Sequence, residues 1–116
     1  MMSAREEIDE LTNRYLDAFR NKDAAACADC YTADAIYIAC GSPPIRGHSE
    51  MQSLHESLIE SGFQILGMET TDIEMSGNLA YAVQRITGSA ANSVAMLVFR
   101  QEESGQWKVC AEAEVS

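Results

Sequence analysis

The chain has 116 residues, of which 47 % are hydrophobic and 22 % charged. That is the length and composition of one globular domain, 1–116, and it excludes disorder, collagen-like repeats and low-complexity sequence. Eight basic residues against eighteen acidic ones give a net charge of −10, which argues against free nucleic acid and anionic membrane as partners. No apolar run approaches the ~20 residues of a membrane span. The acidic start, Met1-Met2-Ser3-Ala4-Arg5-Glu6-Glu7, lacks the apolar stretch of an export signal. The expected location is cytoplasmic, and the cysteines Cys27, Cys30, Cys40 and Cys110 are expected reduced.

Ser3-Ala4-Arg5-Glu6 has the spacing of a capping box. It predicts a first helix over about 4–21, with Ile8, Leu11, Tyr15, Ala18 and Phe19 on one apolar face and Leu16 beside it. Acidic residues crowd its first turns and Arg20 and Lys22 its last, as the helix dipole favours. Asp23 can cap a short second helix over about 24–30. Cys27-Ala-Asp-Cys30 lies inside that helix with no strand before it and no second ligand pair, so neither zinc nor redox chemistry is expected. Ile36-Tyr37-Ile38 reads as a short strand ended by Cys40-Gly41-Ser42-Pro43-Pro44. Ser49-Glu50-Met51-Gln52 reads as a second capping box, opening a third helix over about 49–61 with Met51, Leu54, His55, Leu58 and Ile59 on one side and Gly62 just past its end.

At Phe63 the hydrophobic period changes from near 3.6 to near 2. Strands are predicted over 63–75, 79–88, 93–101 and 107–115, joined by short polar turns, which makes them antiparallel hairpins. The fold class is therefore α+β, with three N-terminal helices on one face of a curved, mostly antiparallel sheet. Three helices cannot cover both sheet faces. The outer face is expected to be buried in a two-fold homodimer.

Five motifs, in order along the whole chain, resemble the nuclear transport factor 2-like superfamily, in its SnoaL-like and ketosteroid-isomerase-like branch. They are Arg14-Tyr15-Leu16-Asp17-Ala18-Phe19, Asn21-Lys22-Asp23, Tyr31-Thr32-Ala33-Asp34-Ala35, Pro44-Ile45-Arg46-Gly47 and Gly105-Gln106-Trp107-Lys108-Val109. The resemblance implies a cone-shaped, cystatin-like fold with a pocket at its wide end. It implies no single activity. It puts Tyr15 where ketosteroid isomerases carry the tyrosine that hydrogen-bonds the enolate oxygen. It also puts Ala39 where they carry the general-base Asp, and Leu97 or Ala95 where they carry the second acid. A standard ketosteroid isomerase is therefore not expected.

The candidate catalytic residues are Tyr15, His55 and Glu112. His55 lies on the apolar side of its helix and titrates near neutrality, so it suits a general base; a buried core histidine fits the same pattern. Glu112 and Glu114 share one face of the last strand, and the sequence leaves open whether that face is solvated or looks into the cone. Candidate ligand-binding residues are Phe19, Tyr37, Met51, Gln84 and Arg85. The last two are adjacent on a strand, so they point to opposite faces. No phosphate loop, metal set or dinucleotide fingerprint is present, and no cofactor is expected. The expected ligand is a small, largely apolar molecule, turned over by acid/base chemistry such as isomerisation, cyclisation, hydration or dehydration. The alternative is a non-catalytic binding or association module acting through the sheet surface.

Overall fold

A computed structural model describes residues 2–115. The elements in chain order are α1 (Ala4–Arg20), α2 (Ala24–Ala28), β1 (Tyr31–Ala39), β2 (Ile45–Arg46), α3 (Gly47–Glu60), β3 (Ile65–Ser76), β4 (Leu79–Gly88), β5 (Asn92–Gln101) and β6 (Trp107–Val115). They build a six-stranded sheet of order β2-β1-β6-β5-β4-β3. Every neighbouring pair is antiparallel except β1 with β6. The α+β class and the long meander are as the sequence predicts. No helix is long and apolar enough to cross a membrane.

The caps explain two of the three helix starts. Ser3 Oγ accepts from the Glu6 N–H at 3.2 Å and Glu6 Oε1 accepts from the Ser3 N–H at 3.0 Å, closing the expected box. Asp23 accepts from the Ala26 N–H at 3.0 Å. The third start differs from expectation. Ser49 is already inside α3, which begins at Gly47, and Glu50 reaches back to accept from the Arg46 N–H at 3.1 Å. Gly47 has φ +80°, and a Cβ there would lie 3.5 Å from the Ala33 carbonyl. A glycine therefore makes this tight turn from strand to helix without strain.

The first strand is longer than the Ile36–Ile38 core suggests. Tyr31 pairs in parallel with Val109, and the Val109 N–H donates to the Cys30 carbonyl at 3.0 Å. The edge of β6 thus draws the chain into sheet directly after α2, which closes at Ala28. Ile45–Arg46 adds the short β2, antiparallel to Tyr37 and Ile36. At the other end, β3 begins at Ile65 because Gln64 is held instead by Ser89, through bonds of 2.8 and 2.9 Å.

The core lies between α1 and the concave sheet face. Ile8, Leu11, Leu16, Ala18 and Phe19 are the buried side of α1. The sheet meets them with Ala80, Ala82 and Ala95, small enough for close approach, and with the larger Leu97, Phe99 and Trp107. Cys27 and Cys30 are buried free thiols and Cys40 is an exposed one. Burial raises the Cys27 thiol to about 12, so it stays protonated. Among the described residues, no group of three or more His, Cys, Asp or Glu is placed to hold a metal.

Candidate functional site

A cavity of about 310 Å³ opens on the concave side of the sheet, beside the exposed loop that carries Ser42 and Pro43. That is the lower end of the size range for small-molecule sites. Its walls are mostly apolar, from Leu11, Leu54, Ile65, Leu97 and Phe99. Into this setting four elements bring polar groups: Tyr15 from α1, Tyr31 and Tyr37 from β1, His55 from α3, and Glu112 and Glu114 from β6.

His55 is 2 % exposed. Its Nδ1 lies 2.8 Å from the Met51 carbonyl, one helical turn back. A carbonyl can only accept, so Nδ1 carries the proton in the neutral ring. Nε2 is then an acceptor, and it takes the Tyr15 hydroxyl at 2.8 Å. The Tyr15 and His55 rings meet edge-to-face, with centroids 5.5 Å apart. Phe19 packs edge-on behind the imidazole at 6.3 Å. Burial lowers the His55 pKa below its usual value, against opposing pulls from the Met51 bond and the Glu114 charge. Burial likewise raises Tyr15 well above the ordinary phenol value, helped by the Glu112 charge. Both groups therefore rest neutral and hydrogen-bonded near neutral pH.

Glu112 is 7 % exposed. Its Oε1 accepts from the Tyr31 hydroxyl at 2.8 Å. Burial raises its pKa to about 7, against the Tyr31 bond, which favours the charged form, and with the Glu114 charge adding to the rise. Glu114, nearer the end of the strand, accepts from the Tyr37 hydroxyl at its Oε2 and from the Ser93 hydroxyl at its Oε1, the latter at 2.8 Å. A β-bulge decides which way this face looks. Phe99 pairs with Val109 but Val98 pairs with Ala111, so Cys110 is the extra residue. It shifts the phase of β6 by one, and Trp107, Val109 and then Glu112 all face inward.

Gln84 is the inward member of the Gln84–Arg85 pair and is 1 % exposed. Its Nε2 donates to Thr12 Oγ1 at 3.2 Å and to Thr70 Oγ1 at 3.3 Å. The Thr12 hydroxyl gives its own proton to the Ile8 carbonyl at 3.2 Å, so it can only accept from Gln84. In this orientation Gln84 Oε1 is buried without a partner.

Three expected ligand-binding residues stand elsewhere. Arg85 is exposed on the outer face, because alternation gives the inner position to Gln84. Met51 is wholly buried and contributes its carbonyl to His55 rather than its side chain to the cavity wall. Phe19 backs the imidazole without lining the cavity. His48, at the start of α3, is half-buried and donates to the Tyr31 carbonyl through Nε2 at 2.6 Å. Conversely, Tyr31 joins the site although the sequence marked it only as part of a motif. Ala39 and Leu97 line the cavity and give it apolar wall.

A family model described as a SnoaL-like domain matches residues 12–111. The chain belongs to the SnoaL-like domain family. The fold of this SnoaL-like chain is that of nuclear transport factor 2-like and cystatin-like proteins. A protein of unknown function of this type from Shewanella oneidensis MR-1 superposes with a TM-score of 0.84 at 17 % identity, covering 98 % of this chain and 100 % of its own. A cystatin-like domain of unknown function from Nostoc punctiforme PCC 73102 gives 0.84 at 16 %, covering 99 % and 78 %. A ketosteroid isomerase-like protein from Erwinia carotovora atroseptica SCRI1043 gives 0.75 at 20 %, covering 94 % of both chains. No curated protein matches the chain. Identities this low show the shared fold and leave the chemistry of this SnoaL-like domain to its own site.

Proposed function

We propose that this SnoaL-like domain binds a small, largely apolar molecule in the cavity and moves a proton on it without a cofactor. The observation that carries the reading is the 2.8 Å bond from the Tyr15 hydroxyl to His55 Nε2 inside that cavity. A substrate C–H or O–H proton passes to the Tyr15 oxygen as the Tyr15 proton passes to Nε2. Tyrosine stays neutral, the imidazole becomes imidazolium, and the substrate is left as the conjugate base. Glu114 and, once ionised, Glu112 offset the imidazolium charge in a poorly solvated setting, where such attraction is strongest. Return of the proton at another atom gives isomerisation, and loss of a leaving group gives dehydration. The test is exchange of the α-protons of 2-tetralone in D2O, followed by proton NMR. The protein should accelerate exchange well above buffer. Exchange no faster than with a heat-denatured sample would count against the proton-transfer reading.

The second reading, association through the sheet, is favoured by one observation. The outer face carries exposed Leu79, Tyr81, Val94 and Met96, the last 51 % exposed. Contiguous apolar surface of this kind is a liability in water. In our reading it joins two copies about a two-fold axis, leaving the cavities free. Sedimentation equilibrium at micromolar concentration should then give a dimer, and Met96→Lys together with Tyr81→Glu should give a monomer. A monomeric wild-type chain would remove this part of the proposal.

A further inference from the structure

The hydrogen-bond polarity of the cavity is one-sided. The phenol, imidazole and amide donors that reach it are already spent inside the protein. The Tyr15 proton goes to His55, the Tyr31 proton to Glu112, and the Tyr37 proton to Glu114. Both Gln84 N–H groups go to Thr12 and Thr70, and the His55 Nδ1–H goes to Met51. What remains for a ligand is mainly acceptor capacity, the unspent lone pairs of the Glu112 and Glu114 carboxylates, with the Ser42 hydroxyl on the loop beside the opening. An occupant that brings donors to these acceptors recovers part of the cost of leaving them unmatched. The charge is one-sided too. Among the described residues, the cavity is lined by Glu112 and Glu114 and by no lysine or arginine.

We infer that the ligand of this cavity is a protonated amine, whose ammonium hydrogens bond the Glu112–Glu114 pair while its apolar body lies against Leu54, Leu97 and Phe99. The inference rests on the proposed pocket function and names its substrate class. A carboxylate, phosphate or sulfate ligand would meet two acidic side chains and no cationic donor. A neutral apolar ligand would leave both carboxylates unmatched. Aromatic walls from Tyr15, Tyr31 and Tyr37 suit a cation further, since its charge is attracted to ring faces. An ammonium on the substrate would also offset the negative charge that forms as the Tyr15–His55 relay removes a proton.

The groups facing Glu112 from the packed elements are Tyr15, His55, Tyr31, Tyr37 and Glu114. The tyrosines stay protonated around neutrality and burial holds His55 below its usual range, so the group that titrates near pH 7 is Glu112 itself. Amine affinity should rise as pH passes through about 7 and Glu112 ionises.

The test uses three probes on one bicyclic body: 2-aminotetralin, 2-tetralol and tetralin-2-carboxylate. Their affinities for the full chain are read by calorimetry at about pH 8, and the side-chain amide signals of Gln84 report the place of binding. The amine should bind roughly tenfold or more tighter than the alcohol, and the carboxylate weakest of the three. In Glu112→Gln and in Glu114→Gln the amine-to-alcohol ratio should fall toward one. A carboxylate that binds as well as the amine overturns the inference, as does a ratio unmoved in both variants. Binding of the alcohol with no preference for the amine would reject the amine while leaving the pocket reading intact. Binding of none of the three would reject both.

Discussion

Replacing Glu112 by glutamine should stabilise the folded protein at pH 8 by about 3 kcal/mol and leave it unchanged near pH 4. The sign follows from the direction in which burial moves the group. Burial holds the folded-state pKa at about 7, against 4.5 for the ordinary side chain. Below about pH 4 the carboxyl is protonated in both states and costs nothing extra. Between the two pKa values the unfolded chain ionises first, so stability falls as pH rises. Above about pH 7 the penalty is complete, at about 1.4 kcal/mol for each tenfold difference in proton affinity between the folded and unfolded chain. Glutamine keeps the shape and still accepts from Tyr31, but it cannot ionise. Urea unfolding of both proteins at the two pH values reads the difference directly, because all other carboxylates are common to both. A gap that is the same at pH 4 and pH 8 would show that Glu112 is not a buried, raised carboxyl. The expected gain matters for function. A stabilising substitution this close to hand means the ionisable group is kept at a cost in stability, as happens where a site needs it.

The parts of the molecule that follow from local rules were legible in the sequence. The Ser3 box, the Asp23 cap and Gly62 (φ +83°, after α3) are each fixed by residues within one turn. The strands β4 and β6 match the predicted ranges because strict alternation and polar turns mark them. The Tyr15–His55 contact was legible too, in a weaker sense: each lies on the apolar stripe of its helix, and a single sheet must take both stripes. What escaped depends on pairing between distant segments. The length of β1 comes from pairing with β6, about eighty residues away in sequence, and its own Ala33-Asp34-Ala35 are residue types depleted in strands. The phase of Glu112 depends on a bulge at Cys110, and nothing in Val109-Cys110-Ala111 marks a bulge. One residue of slip there decides whether two carboxylates face water or a cavity. Ser49 failed as a cap for a related reason: β2 pairs with β1 and carries the chain to Gly47, which then turns directly into α3.

His55→Ala should lower kcat for α-proton exchange by a factor on the order of 10² or more, the usual size of a general-base contribution. The imidazole is locked in one tautomer by Met51, so Nε2 is held ready to accept from Tyr15 with no reorganisation. Tyr15→Phe should cost about as much, since the substrate proton reaches Nε2 only through the tyrosine oxygen. The double variant should be little worse than either single one, because residues that act as a unit are not additive. The pH profile separates this role from packing. Burial depresses the His55 pKa below the usual value of 6.5, so the neutral base persists to more acidic pH than a free imidazole would, and the rate should fall only below that point. Both variants will also be less stable, since each removes buried contacts. Rates are therefore compared at a temperature where circular dichroism shows all proteins folded. If His55→Ala melts lower yet exchanges like the wild type, the histidine is a core residue and the relay does not exist. If instead the two single variants lose rate to different extents and their losses multiply, the tyrosine and the histidine act separately, and the 2.8 Å bond between them is structural.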